Sequence, residues 1–366
     1  MPLKRKHVLL ALAATAGLYL AFPPKHSPGF SRGESPEGVE PCFQLNINDK
    51  ELLMKQKRSY GSNGRPPKAV ILWSTWRSGS TFVGGLLANA VTETFYSIEP
   101  LYSWKNVINS ENNSATSSAQ EFLHDLMHCR VQQKYMKQLF TLIWNPYYRD
   151  WNRYYTRKCR QLEACGNVTL LTQMCQEARI HVAKVVRLSL RWAWRLLEDE
   201  NLDLKIVYLG RDPRAVLASR SFRGFCKQPS CNHPQTVCEL LQDDLEVAAE
   251  MIRKYPHKFQ YLQYEDIATD PLTGLGDLMA FVGLPVSDKQ LELLNPSDLD
   301  PYSPYGISKI SELEVNKWRK LNNYSSVFKY QEACTIPICM MGLRIFRSGE
   351  EFRNLSLPVL PDPPQP

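Results

Sequence analysis

The chain has 366 residues, 43% of them hydrophobic and 22% charged, which is ordinary for a globular protein and enough for one large α/β domain. The net charge of +7 and a pI near 8.8 suit anionic ligands. The basic residues are dispersed and form no long run beyond Lys4-Arg5-Lys6, which argues against a nucleic-acid partner.

That short basic run precedes fifteen mostly apolar residues, Val8 to Phe22. The stretch is short for a membrane span, which takes about 17–25 residues. It remains apolar past the small-residue site Ala14-Thr15-Ala16, so residues 8–22 read as an uncleaved signal anchor, with residues 1–7 cytosolic and the rest lumenal. A signal peptide cleaved at that site is the alternative. Residues 23–67, rich in Pro, Gly, Ser and charge, read as a stem. Cys42 could tie this stem to the domain or to another chain. The ten cysteines show no Cys-x-x-Cys spacing, so disulfides in an oxidising lumen fit better than zinc, and no metal-ligand cluster stands out in the sequence. Glycosylation triplets at Asn112, Asn167, Asn323 and Asn354 agree with a secretory route.

Ala69-Val70-Ile71-Leu72-Trp73 reads as a buried strand, followed by a turn of small and polar residues from Ser74 to Thr81. A helix begins at Phe82-Val83. Strand, small-residue turn and helix together form an anion cradle, in which backbone amides and the helix dipole face a phosphate. Ser78, Ser80 and Thr81 add hydroxyls, and Arg77 adds a fixed charge. The turn is not a Walker A loop, because Ser74 stands at the first Gly position and Ser80 at the Lys position. Thr94 to Pro100 reads as a second strand ending at Glu99, with Pro100 favouring extended backbone there. Carboxyl ends of such strands line the ligand crevice.

Residues Asn106 to Gln120 read as a polar loop. Residues 121–180 are helical in places, with dense aromatics (Trp144, Tyr147, Tyr148, Trp151, Tyr154 and Tyr155) that either pack or stack on sugar faces. Lys184 and Arg187 read as surface cations that could instead meet the donor or an acidic acceptor. Leu204 to Leu209 is a further strand, and Gly210 to Arg220 a second cationic strand-to-helix turn, with Asp212 as N-cap and Pro213 in the first helical turn. Two such turns imply a ligand with two separated phosphates. Leu240 to Lys254 reads as an amphipathic helix, Phe259 to Tyr264 as a strand and Leu275 to Val282 as a helix. Residues 346–366 read as a disordered C-terminal tail, Pro-rich from Leu357 onward.

The stretches Trp76-Arg77-Ser78-Gly79-Ser80-Thr81-Phe82-Val83 and Gly210-Arg211-Asp212-Pro213-Arg214-Ala215-Val216-Leu217-Ala218-Ser219-Arg220 resemble the two phosphate loops of the Golgi carbohydrate sulfotransferases. The closest group is the 6-O-sulfotransferases of galactose, N-acetylgalactosamine and N-acetylglucosamine. The resemblance spans residues 68–343. It implies a single P-loop-like, three-layer α/β domain over residues 68–345 around a central, mostly parallel sheet. It also implies 3′-phosphoadenosine-5′-phosphosulfate (PAPS) as donor, no metal, a glycan or glycosaminoglycan acceptor and a type II Golgi membrane protein. On that resemblance, Arg77, Ser78, Gly79, Ser80, Thr81, Phe82 and Val83 hold the 5′-phosphosulfate. Arg211, Asp212, Pro213, Arg214, Ala215, Val216, Leu217, Ala218 and Ser219 form the 3′-phosphate loop. Glu99 is the base, Arg77 also stabilises the leaving group, and Arg319 of Lys317-Trp318-Arg319 contacts phosphate. Tyr264-Glu265-Asp266-Ile267 with Asp270-Pro271 resembles a segment beside the donor. A homodimer is allowed by the sequence but not specified. Two alternatives remain at this level. One is a nucleotide-sugar glycosyltransferase using Asp298-Leu299-Asp300 for a metal, and the other a non-catalytic polysaccharide-binding protein.

Overall fold

The computed structural model describes residues 42, 53, 67–104, 113–136, 152–221, 226–294 and 311–361, with side chains of the last segment from residue 314. The expected anchor, most of the stem, Trp144, Tyr147, Tyr148, Trp151, Asn112 and Asp298-Leu299-Asp300 lie outside the described residues.

The expected strands all form, and among the described residues they make one wholly parallel sheet in the order β2-β3-β1-β4-β5. The strands are β1 (Ala69–Ser74), β2 (Thr94–Ile98), β3 (Ile180–Val185), β4 (Leu204–Gly210) and β5 (Phe259–Gln263). All six β1 residues are buried. Alternate strand residues face opposite sides, so the sheet is covered on both faces, which makes three layers. In register, Trp73 stands between Val185 and Tyr208. Its indole Nε1 donates to the Leu188 carbonyl at 2.6 Å, which fixes the segment leaving β3. The connection after β1 crosses toward β2, and that after β4 crosses toward β5. The two chains therefore part at the carboxyl ends of β1 and β4, the position at which doubly wound sheets open a ligand crevice.

The helices that matter below are α1 (Ser80–Ala88), α2 (Ser114–Met127), α3 (Arg153–Gln161), α4 (Val168–Glu177), α5 (Pro213–Ser221), α6 (Pro234–Lys254), α7 (Tyr264–Thr269), α8 (Pro271–Val282), α9 (Asp288–Leu294), α10 (Ser311–Leu321), α11 (Tyr324–Ala333), α12 (Thr335–Met340) and α13 (Gly349–Arg353). The polar run expected as a loop up to Gln120 is helical from Ser114. Asn113 caps it, its Oδ1 accepting from the Thr116 amide at 2.9 Å. Thr116, Ala119, Phe122, Leu123 and Leu126 then bury one face.

All ten cysteines pair, as Cys42–Cys339, Cys129–Cys175, Cys159–Cys165, Cys226–Cys231 and Cys238–Cys334. Cys42 thus ties the stem to the domain of the same chain.

Two expectations about the C-terminal part fail together. Residues 346–361 are not a loose tail, because Phe346, Phe352 and Val359 are buried and α13 forms within the segment. Arg319 is the reason. It is fully buried, and its guanidinium donates to the carbonyls of Glu351, Phe352, Asn354 and Leu357 and to Asn316 Oδ1. It also stacks 4.6 Å over the Phe346 ring. Burial brings its pKa down to about 10. With every nitrogen engaged, Arg319 serves the C-terminal segment and not a phosphate. Arg319→Met should cost about 3–5 kcal/mol, since it strips several charged hydrogen bonds from buried carbonyls. We expect a lower Tm and protease cleavage within residues 346–361. A variant that melts like the parent but binds nucleotide poorly would return Arg319 to the ligand site.

Candidate active site

The first loop turns sharply between β1 and α1. Gly79 has φ +90°, and a Cβ there would lie 2.2 Å from the Tyr264 ring, so only glycine meets both demands. The Gly79 carbonyl accepts the amides of Phe82 and Val83, and α1 starts at Ser80 with its first amides facing the loop. Arg77 is also left-handed, at φ 70°. For a non-glycine residue this backbone costs about 1–3 kcal/mol and persists only where the surroundings impose it.

The surroundings here are arginines of the second loop. Arg220 donates from Nε and Nη2 to the Trp76 carbonyl, at 3.0 and 2.8 Å. Arg211 Nη1 donates to the Arg77 carbonyl at 3.0 Å and its Nη2 to the Glu314 carbonyl at 3.3 Å, while its guanidinium lies 4.3 Å over the Tyr264 ring. In return, Arg77 Nε donates to Ser219 Oγ at 2.9 Å. Arg220 is buried, and burial, followed by the nearby Arg77, brings its pKa down to about 9. The two loops are therefore one assembly. A cavity of about 50 Å³ lies beneath, lined by Thr75, Trp76, Tyr208, Arg211, Arg220 and Asp244 among others.

Asp212 caps α5 as expected, its Oδ1 accepting from the Arg214 amide at 2.9 Å. Arg214 departs from expectation. It is fully buried, it forks onto Asp212 at 3.0 and 2.8 Å, and its Nη1 donates to Gln331 and to the Arg344 carbonyl. It is spent inside the protein and does not offer its charge to a ligand. Pro213, Ala215, Val216, Leu217 and Ala218 are buried helix residues that position the loop. In the first loop, Ser78 also turns inward, donating to the Thr75 carbonyl at 2.7 Å. Ser80 and Val83 are buried, and Phe82 packs half-buried against the core.

Glu99 follows directly on β2 but is not extended; its φ is 44°. Its carboxylate is clamped by two cations. Lys184 Nζ lies 3.1 Å from Oε1, and Arg187 Nη2 3.3 Å from Oε2. Burial would raise the Glu99 pKa, but these two ion pairs outweigh it and hold the carboxyl below its usual range. Lys184 is 2% exposed and also donates to Thr81 Oγ1 at 3.3 Å, bridging the carboxylate to the first turn of α1. The Arg187 guanidinium lies 4.7 Å over Trp76 and 5.1 Å over Tyr102. The expected surface cations are thus buried partners of Glu99. Their spacing in the sequence left that open, because the partner arrives from the end of another strand.

The fold gathers His124, His128 and Asp199, with their ligand atoms within 4.8 Å of one another. Cys129, Cys175 and His181 also meet, but those cysteines are joined as a disulfide.

The family profile described as "Sulfotransferase domain" matches residues 67–323. Carbohydrate sulfotransferase 1 of Homo sapiens is 26% identical over 367 aligned residues, covering 85% of this chain and 87% of that one. Carbohydrate sulfotransferase 3 of Mus musculus is 26% identical, covering 88% of this chain and 77% of its own. Among solved structures, the chain is similar to the "Sulfotransferase Domain from the Curacin Biosynthetic Pathway", at 17% identity and TM-score 0.39, over 74% of this chain and 99% of that one. The profile match takes in both cationic loops, Glu99 and its two partner cations across well over half of the sequence, and the chain belongs to the sulfotransferase-domain family.

Proposed function

We infer that the protein is a carbohydrate sulfotransferase that draws its sulfuryl group from PAPS and places it on the 6-O hydroxyl of a sugar in a glycan or glycosaminoglycan. The observation that carries this reading is the pair of cationic loops held together where β1 and β4 part. Family membership removes the glycosyltransferase alternative.

The donor fits this site on the chain's own geometry. The cradle at Gly79 is closed to any Cβ, the α1 amides face it, and Arg77 and Arg211 flank it. When bound, the donor supplies an activated sulfuryl group with an adenosine bisphosphate as leaving group. Arg77 and the Ser80–Thr81 turn oppose the negative charge that gathers on the 5′ side as the sulfur bond breaks. Arg211 and Ser219 face the 3′-phosphate. Lys184 takes the part of the lysine that the loop lacks at Ser80, since it reaches Thr81 from the neighbouring strand. Glu99 accepts the proton of the sugar hydroxyl. It is ionised throughout the neutral range, because its two cations hold its pKa down. Proton transfer to so weak a base accompanies the attack on sulfur and does not precede it.

The same proposal places the protein in the Golgi membrane, anchored by residues 8–22, with the domain lumenal. The full pairing of the cysteines supports an oxidising compartment. The exposed asparagines of three triplets, Asn167, Asn323 and Asn354, leave their amide nitrogens on the surface for a glycan. Enzymatic deglycosylation of protein from a secretory host should shift its mass. A chain bare at all of these sites and open to protease on the cytosolic side would refute the topology.

Adenosine 3′,5′-bisphosphate should bind at least tenfold more tightly than 5′-AMP, because each charge-assisted contact to the 3′-phosphate contributes about 1.5–3 kcal/mol. Equal affinities in calorimetry would sink the donor assignment. Glu99→Gln should lower kcat by about 10²–10⁴-fold and leave nucleotide affinity nearly intact. It should also lower Tm, since Lys184 and Arg187 lose their counter-charge. Near-normal turnover by the folded variant, with both substrates saturating, would take Glu99 out of the mechanism.

A further inference from the structure

The His124, His128 and Asp199 side chains stand apart from everything the transfer chemistry uses. His124 lies in the last turn of α2 and His128 caps it, so the two imidazoles share one helix face four residues apart. Their rings are 4.7 Å apart. Both Nε2 atoms converge on one carboxylate oxygen, Asp199 Oδ2, at 2.9 and 2.8 Å. Asp199 lies in the turn that leads into β4, at the amino end of that strand. The cluster therefore lies at the opposite edge of the sheet from the loops that carry Arg77, Glu99 and Arg211.

We propose that His124, His128 and Asp199 form a zinc site that braces the end of α2 to the approach to β4. The donor set is two imidazoles and one carboxylate, which suits zinc and is too poor in oxygen for calcium or magnesium. Each imidazole binds through Nε2 once its proton sits on Nδ1, so no ligand needs to be charged except the aspartate. In a tetrahedral site with metal–ligand bonds of about 2.0–2.1 Å, neighbouring ligand atoms stand about 3.3 Å apart. The observed 2.8 and 2.9 Å need to open by only a few tenths of an ångström. All three side chains are 13–17% exposed, which leaves a path for the metal and a fourth position for water.

The frame around the ligands is already fixed. The second oxygen of Asp199 accepts from the Asn201 amide at 2.9 Å and from its side chain at 3.2 Å, which orients the carboxylate as outer partners orient metal ligands elsewhere. The residue after His128 is Cys129, and its disulfide to Cys175 pins the end of α2 to α4. The ligands are thus presented by two segments whose positions do not depend on the metal.

The test is calorimetric titration of the chelator-stripped full chain with ZnCl₂. One zinc per chain should bind, and His124→Gln, His128→Gln and Asp199→Asn should each weaken binding at least tenfold. Zinc at a hundredfold over its Kd should raise the Tm of the parent by ~3–4 °C and leave the His124→Gln/His128→Gln variant unmoved. Cobalt in place of zinc should give the visible bands of a four-coordinate ion in the parent alone. Sulfuryl transfer by the variants should match the parent and so report an intact fold. Zinc binding of equal strength in parent and variants, no zinc bound by the parent, or a parent without cobalt bands would each overturn the site. The cluster would then be a hydrogen-bonded histidine–aspartate brace.

Discussion

Three hydrogen-bonding arginines hold this site in shape. Arg220 and Arg211 grip the carbonyls of Trp76 and Arg77, and Arg77 reaches back to Ser219. A carbonyl is a modest acceptor, but a guanidinium donating to it inside a low-dielectric interior makes a charge-assisted bond worth about 1.5–3 kcal/mol. Such bonds are of the size needed to hold the left-handed backbone of Arg77. The arrangement has a second effect. The two loops are tied to each other, so on the proposed function a donor carrying both phosphates would meet a preformed pair and lose little to reorganisation.

Glu99 presents the complementary problem. The proposal makes Glu99 a base, which should be free to change its charge, yet its carboxylate is paired with both Lys184 and Arg187, themselves buried. The cations make sense if they serve two anions in turn. Before substrates arrive, they neutralise Glu99 and keep the buried charges paired. Lys184 already touches Thr81, so on the proposed function its charge would be shared with the incoming sulfuryl without moving the chain. The Arg187 guanidinium packs over Trp76 and Tyr102, which holds it where it donates to Glu99.

The strands and both loops were legible because each rests on local chemistry. A parallel strand buried on both faces reads as a near-continuous apolar run, and Ala69 to Trp73 is such a run, while Leu204 to Leu209 is broken only by the half-buried Lys205. Small residues between strand and helix mark the turns. What stayed hidden were choices made by partners distant in sequence. An arginine can face phosphate or brace a carbonyl, and Arg214 in α5 and Arg319 in α10 do the second because Gln331, Arg344 and residues 351–357 come to meet them. Lys184 looked like a surface cation because nothing in its own strand revealed Glu99. The helical spacing of His124 and His128 was visible, but Asp199 lies more than seventy residues away. Pro100 favoured extended backbone at Glu99, but the residue is left-handed, and its carbonyl accepts the Tyr102 amide in a turn.

The clasp between Cys42 and Cys339 closes 297 residues of chain, and it bears on how the molecule is made. A chain emerges amino end first, so Cys42 becomes available long before its partner exists. At synthesis rates of about 5–20 residues per second, the wait is on the order of 15–60 s. During that time Cys129, Cys159, Cys165 and Cys175 appear in turn, each a nearer and wrong partner. Their own native pairs close loops of only 46 and 6 residues and can form as soon as both thiols are out. Local pairs that close early remove most of the competitors, all but Cys238, whose own partner Cys334 arrives only just before Cys339. Correct assembly then depends on the order in which loops close during synthesis as well as on the stability of the finished fold.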